Sequence, residues 1–278
     1  MSSAVYFFYI RAMNKFTFIA SVCAALFFAA CGDDSSSVEP SLDESSSSVV
    51  LSSSSSSAVI PSSSSVSSPM SSWSGGGAGA IGSMTDSRDG QSYKTVSIGS
   101  QTWMAQNLNY ETANSYCYSN TPSNCTKYGR LYTWAAAMDS AGTWSANGKG
   151  CGDAKTCTPT YPVRGVCPTG WHLPTKAEFE TLFTAVGGSS TAGTKLKSTS
   201  GWVENGNGTD GYSFSALPAG YWNRYQSYDY VGSFAAFWSS TEDDSSYAYS
   251  MDLQYNSDYA GLSPWYKYHG YSVRCVKD

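Results

Sequence analysis

A run of serine divides this chain more decisively than any other feature. Residues 35–72 are serine with scattered Val, Pro and acidic side chains. Such a stretch offers too little apolar surface to offset its chain entropy, so it is expected to stay disordered. As a flexible coil of about 38 residues it would span roughly 30–40 Å root-mean-square. Gly75–Gly79 extends the flexible composition. Residues 31–83 therefore read as a tether, and any fold must be built from residues 84–278, which suffice for one buried core.

The segment before the serines reads as targeting. Arg11 and Lys15 precede an apolar run, Phe16–Ala30, that ends in Ala29-Ala30-Cys31. The run falls short of the roughly 20 residues a membrane span needs, so residues 1–30 fit a removed signal peptide. Met13-Asn14-Lys15 would itself make an ordinary start for one. Small residues directly before a cysteine resemble a bacterial lipobox, although Phe28 stands where leucine is usual. Cys31 is then the expected acylation site, and two or three acyl chains at about 0.8 kcal/mol per buried methylene hold a protein firmly on a membrane. Gly32-Asp33-Asp34 resembles surface-export signals. The expected location is the outer membrane, lipid-anchored and facing outward.

Of the 8 cysteines, Cys23 leaves with the signal and Cys31 goes to lipid. The other six are Cys117, Cys125, Cys151, Cys157, Cys167 and Cys275. An even set in an exported chain indicates disulfides, with 15 possible pairings. Cys117–Cys125 and Cys151–Cys157 are close in sequence, which leaves Cys167–Cys275. Closing that loop of about 100 residues is worth some 4–5 kcal/mol in the chain-entropy model. A zinc site is the alternative, but no C-x₂-C knuckle supports it.

Net charge is -5 and charged residues are only 13%. No basic stripe is present for phosphates, so nucleic acid is not an expected partner. Aromatics reach 15%, led by 21 Tyr and 9 Trp. Both residue types join an apolar face to a polar handle.

Local patterns give several elements. Tyr93–Ile98, the turn Gly99-Ser100 and Gln101–Ala105 make a hairpin. Thr175 and Glu178 have capping-box spacing, and Phe179, Leu182, Phe183 and Val186 form one apolar helical stripe that Gly187 stops. A shorter helix is expected over Thr133–Ser140. Phe214–Leu217, Phe234–Ser239, Tyr247–Leu253 and Tyr271–Val276 read as strands. Few helices, several short strands and long loops imply an α+β domain.

Five segments carry a family resemblance. They are Tyr93–Leu108, Tyr128–Trp134, Val166-Cys167-Pro168-Thr169-Gly170-Trp171-His172-Leu173-Pro174-Thr175, Phe237–Thr241 and Tyr271–Val276. In this order and combination the chain resembles the Fibrobacter succinogenes major paralogous domain family across residues 84–278. That family in turn resembles the C-type-lectin-like fold, which also includes formylglycine-generating sulfatase modifiers. The resemblance implies two helices, a small twisted antiparallel sheet, and a long irregular region that usually binds ligand. It also implies a disulfide from an early helix region to the last strand, as Cys167–Cys275 would be.

Candidate chemistry is sparse. His172 and His269 are the 2 histidines. His172 precedes the helix and is expected to pack or bond a loop, while Glu178 is expected to cap. Glu242-Asp243-Asp244 follows a strand as a solvated turn would. Asn205, Asn207 and Asp210 offer oxygen ligands for calcium but read equally as a turn cluster. The Glu-Pro-Asn and Trp-Asn-Asp calcium motifs of true C-type lectins are absent from the sequence. Sulfatase-modifier chemistry needs a reactive cysteine pair near the C-terminus, where Cys275 stands alone.

Aromatic density is the positive feature. Tyr221, Trp222, Tyr225, Tyr228 and Tyr230 are interleaved with Asn223, Arg224, Gln226 and Asp229. Tyr255, Tyr259, Trp265, Tyr266 and Tyr268 form a second set. Ring and amide mixtures suit sugar stacking or protein contact. The expected function is a non-catalytic surface module binding polysaccharide or protein at Tyr221, Trp222, Asn223, Arg224, Tyr225, Tyr228 and Tyr230. The alternatives are a structural or adhesive envelope protein, then an enzyme related to the sulfatase modifiers.

Overall fold

The computed structural model describes residues 79–278. The expected signal peptide, the acylated Cys31 and the serine-rich stretch lie outside the described residues. The architecture is α+β, with antiparallel sheets, short helices and three disulfides.

The chain opens with β1 (Ile81–Thr85), β2 (Ser92–Ile98) and β3 (Gln101–Met104), the last two joined by the expected turn at Gly99. Gly99 adopts φ +60°, which an L-residue with a Cβ resists. β1 draws Ile81–Ser83, read as tether, into the sheet by pairing Ile81 with Val96. β4 (Ser115–Tyr116), α1 (Pro122–Tyr128), β5 (Leu131–Thr133) and α2 (Trp134–Ala137) follow. β6 (Trp171–His172) leads into α3 (Lys176–Ala185) and α4 (Ser189–Leu196). The C-terminal part holds β7 (Tyr221–Trp222), β8 (Tyr228–Asp229), β9 (Phe234–Glu242), β10 (Tyr247–Gln254), β11 (Ala260–Tyr266), β12 (Gly270–Tyr271) and β13 (Val276–Lys277). Three sheets result, with strand orders β1-β2-β3-β13-β6, β11-β10-β9 and β4-β5-β12-β7-β8.

β9 shows how the core is divided. Successive strand side chains point to opposite faces. Ala236 and Trp238 enter a core with Tyr132, Trp134 and Tyr271, while Ala235 and Phe237 enter another with Trp103, Phe179 and Met251. Trp238 and Trp134 are fully buried, and each indole N–H donates to a backbone carbonyl, of Tyr132 at 2.7 Å and of Ser239 at 2.8 Å. The helix α3 starts as its sequence dictates: Thr175 Oγ1 accepts from the Glu178 N–H, and Glu178 Oε2 accepts from the Thr175 N–H at 2.7 Å.

Cys117–Cys125, Cys151–Cys157 and Cys167–Cys275 are bonded, and the last ties the segment before β6 to the C-terminal strand region. Three further expectations are corrected. Phe214–Leu217 is not a strand, because Ser213 and Ser215 take φ +55° and +52°. The bent backbone there turns the carbonyls of Phe214 and Ser215 to the buried Arg274 guanidinium. Tyr271–Val276 splits into β12 and β13, each pairing in a different sheet. The helix expected over Thr133–Ser140 stops at Ala137, and Asp139 turns left-handed at φ +55°. Its carboxylate then accepts the N–H groups of Thr143, Trp144 and Ser145, organising the next loop.

Candidate functional site

β7 and β8 form a hairpin that carries every residue of the Tyr221–Tyr230 group except Tyr230, which follows directly. Asn223 builds its tip: the side-chain carbonyl accepts from the N–H of Tyr225 and of Ser227, and the amide donates to Asp229 Oδ2 at 2.7 Å. Gln226 takes φ +59° to close the turn. This arrangement lifts Arg224 and Tyr225 into solvent, with Tyr225 78% exposed.

The remaining rings of the group divide by environment. Trp222 stacks on Tyr116 with centroids 4.2 Å apart, and Tyr228 packs beside Tyr118 while donating its hydroxyl to Asn120. Both therefore anchor the hairpin. Tyr221 packs against Tyr230, Phe234, His269 and Tyr271, and burial pushes its phenol well above the usual range. Tyr230, half exposed, stacks on the outer side of Tyr221 at 5.8 Å.

The second tyrosine set is split by the β10–β11 ladder. Tyr255 and Tyr259 lie at the turn end, whereas Tyr266 lies at the other end opposite Tyr247. From there a ribbon of rings reaches the hairpin. Tyr247 meets Tyr266 at 4.4 Å, Tyr266 stacks on Tyr268 at 4.8 Å, and the Arg224 guanidinium lies 5.1 Å over Tyr268 and 5.2 Å over Tyr225. Sequence separation of about forty residues concealed this junction, and only the pairing of β12 with β7 brings the two sets together. Behind the ribbon, burial first and Arg224 second lower His269 to about 4, so it is neutral at neutral pH.

Residues 96–277 match the Fibrobacter succinogenes major domain. The chain belongs to that family. No curated protein and no solved structure matches it. The family match takes in the ribbon, the hairpin and the Cys167–Cys275 bond, but neither β1 nor the terminal Asp278.

Other candidates of this family member resolve into structural contacts. His172 is buried with each ring nitrogen 2.7 Å from a carboxylate oxygen, one of Glu178 and one of Asp278. Burial works against the charged ring, but the two carboxylates prevail and raise its pKa. Glu242 pairs with the buried Lys267, and Asp244 accepts the N–H groups of Ser246 and Tyr247 in the β9–β10 turn. Asn207 accepts from the Trp202 N–H and Asp210 from the Ser215 N–H, while Asn205 adopts φ +60°. The side chains of Asn207 and Asp210 thus hold the backbone at Trp202 and Ser215. No cluster of three or more His, Cys, Asp or Glu side chains suited to a metal occurs among the described residues.

Two cavities lie elsewhere. One of about 340 Å³ is lined by Lys94, Asn107, Lys127 and Tyr128, the other of about 560 Å³ by Arg88, Tyr110, Glu111 and Arg130. Neither is lined by the hairpin.

A site that sequence reading missed sits on one face of the β9–β10–β11 sheet. Asp252, only 9% exposed, stands between Ala236 on β9 and Gly261 on β11. Burial raises its carboxyl to about 6, an effect that the nearby Ser263 hydroxyl and Trp265 indole offset in part. Asp252 Oδ1, Ser250 Oγ and Trp265 Nε1 are nonetheless buried without a hydrogen-bond partner. Alternation along Ser250-Met251-Asp252 was the available signal, since it places a carboxylate on an inward face.

Proposed function

We propose that this chain is an exported lipoprotein, acylated at Cys31, whose serine-rich tether carries a non-catalytic ligand-binding domain at the outer surface of the cell. The ligand is a polysaccharide or a surface protein. The observation that carries the reading is the ribbon Tyr247–Tyr266–Tyr268–Arg224–Tyr225, an aromatic surface that its own contacts pre-order. Rings held by one another bind without the entropy cost of ordering, and Tyr and Arg are the residues that dominate binding hot spots. We read the fold as C-type-lectin-like. Short helices, small antiparallel sheets, long loops and the Cys167–Cys275 bond support that reading. Chemistry of the sulfatase-modifier type is disfavoured because Cys275 is consumed by its disulfide.

Two measurements test the proposal. Cys31→Ser should abolish fatty-acid labelling and release the protein from membranes; retained labelling refutes the anchor. A glycan-array and envelope-protein screen of residues 79–278 should find a ligand whose affinity falls tenfold or more in Tyr225→Ala at an unchanged thermal midpoint. Association with the envelope but with no soluble ligand would shift the assignment to a structural or adhesive role.

A further inference from the structure

The hairpin of the proposed ligand surface does not stand on its own ladder. β7 and β8 have 2 residues each, and β12 meets β7 through the pair Gly270–Trp222. So short a hairpin is marginal in water without other support. Its footing is the segment Ser115–Asn120. Tyr116 stacks on Trp222, the Tyr118 hydroxyl donates to the Tyr228 carbonyl at 3.2 Å, and Asn120 accepts the Tyr228 hydroxyl. The Tyr118 ring also lies beside that of Tyr228, with centroids 5.2 Å apart.

This footing is held in a conformation it would not adopt freely. Ser119 and Asn120 are consecutive left-handed residues, at φ +55° and +53°, and neither is glycine. Such backbone persists only where its surroundings over-determine it. The Cys117–Cys125 bond closes the loop around both residues, and inside that loop the Asn124 amide donates to the Tyr118 carbonyl at 2.9 Å.

The same bond is placed for exchange. Cys117, half-buried, and Cys125 both line the cavity of about 560 Å³. Arg130 Nη1 lies 3.7 Å from Cys117 Sγ and 3.6 Å from Cys125 Sγ. A guanidinium there favours the thiolate, the form in which a sulfur attacks or leaves. The other two bonds have a different setting. Cys167 and Cys275 are fully buried in the core that holds Trp134 and Trp238. Cys151 is fully buried as well, and its partner Cys157 donates its backbone N–H to the Glu242 carboxylate at 3.1 Å, a charge that disfavours a thiolate.

We infer that Cys117–Cys125 is an exchangeable clamp: a small thiol that opens it unfastens the β7–β8 hairpin and withdraws the Arg224–Tyr225 end of the ribbon, while the two large cores stay folded. This regulation rests on the ligand-binding reading above. The external thiolate attacks Cys117 Sγ to form a mixed disulfide, and the electron pair of the broken bond leaves on Cys125 Sγ beside Arg130. A second thiolate attacks the reagent's sulfur in that mixed disulfide and releases Cys117 as a thiolate. Two thiols are thereby oxidised to one disulfide, and the two cysteines are reduced and take up the protons that the thiols gave up. With the loop open, Ser119 and Asn120 relax from their left-handed turns and Asn120 leaves Tyr228.

Reduced glutathione is the probe, applied to the full chain. Freed cysteines are alkylated and mapped by mass spectrometry, and amide hydrogen exchange is followed in parallel. Cys117–Cys125 should open about tenfold or more faster than either other bond. Once it is open, amides of residues 221–230 should exchange about tenfold or more faster, while those of β9 and β10 keep their rates. The double variant Cys117→Ser/Cys125→Ser should show the fast hairpin exchange without any thiol. Glutathione that opens another bond first, or none, would overturn the clamp, as would unchanged exchange at 221–230 after opening. Equal loosening of β9 and β10, or failure of the double variant to fold, would make the bond a brace of the whole domain and would also overturn it. These readouts use no ligand, so a failure of the clamp is distinct from a failure of the ligand-binding reading.

Discussion

Lys197, Lys267 and Arg274 lie as deep in the domain as Asp252, yet the two groups are treated in opposite ways. Lys197 Nζ donates to the carbonyls of Gln254, Tyr255 and Ser257. Lys267 pairs with Glu242, donates to the carbonyls of Lys155 and Ser245, and lies 4.6 Å from the Trp134 ring. Arg274 donates to Asn107 Oδ1 and to the carbonyls of Phe214 and Ser215, with Phe214 and Phe237 against its plane. Burial lowers its pKa to about 9, which still leaves it charged at neutral pH. The buried carboxylates Asp86 and Asp139 are served as fully, by Arg88 and by three backbone N–H groups. Each of these charges fixes a loop that has no regular ladder of its own. Asp252 sits in a regular ladder that needs no such help, and no cationic side chain meets it. In this set the charges that brace irregular backbone are fully paired, whereas Asp252 on β10 meets no cation.

The largest expected effect tests the structural half of this contrast. Arg274→Met would leave Asn107 Oδ1 and two carbonyls buried without donors, at about 1–3 kcal/mol for each unsatisfied group. A loss of about 3–5 kcal/mol in denaturant unfolding is expected on that basis, with the loop at residues 213–215 releasing its left-handed turns. A loss below about 1 kcal/mol would mean that the guanidinium is a passenger, and the contrast would fail.

The next effect concerns Asp252 itself and has a defined sign. Its folded pKa of about 6 stands above the ordinary 3.8, so the folded state holds the proton more tightly than the unfolded chain. The resulting penalty is absent below the unfolded value, grows as pH rises between the two, and is complete above about 6. Asp252→Asn should therefore match wild type in stability near pH 4 and exceed it by about 1–3 kcal/mol above the folded pKa. A stability difference that stays constant across this range would show that the carboxylate is not desolvated.

How much of this was legible in the sequence depends on the range over which each signal acts. The β2–β3 hairpin and the cap and stop of α3 are written within a few residues, and they form as expected. The tyrosine cluster at 221–230 was visible as composition, but not which rings anchor it and which face solvent. Trp222 reads as an exposed platform until Tyr116 is found stacked on it from a strand about a hundred residues earlier. β11 was obscured because Gly261 and Pro264 are poor strand formers, and both are tolerated here in a strand at the sheet edge. In α4, Gly193 breaks the helical pattern, yet its missing Cβ lets the Asp258 and Tyr259 carbonyls approach. The bend at Phe214-Ser215 answers to Arg274, some sixty residues away, and no local pattern announces it.

The smallest effect lies where two carboxylates share one ring, the reverse of one carboxylate with none. His172 joins Glu178, at the start of α3, to Asp278, at the end of the chain. With its folded pKa raised above 6.5, the ring contributes stability that is fully present below that value and is lost as pH rises through the folded pKa. For Glu178, burial acts to raise the pKa, but the His172 and Thr175 contacts prevail and depress it below 4.5. Its share is therefore present above that value and lost as pH falls through the folded one. The two shares overlap most fully between 4.5 and 6.5. Because Asp278 is half exposed, water screens part of the attraction, and about 1 kcal/mol is the expected size. His172→Gln should thus cost most in mildly acid solution and progressively less under alkaline conditions, read as the difference in urea midpoint from wild type. A deficit that does not change with pH would reduce His172 to packing, and would leave the charged arrangement of Glu178 and Asp278 without a role in holding the C-terminus.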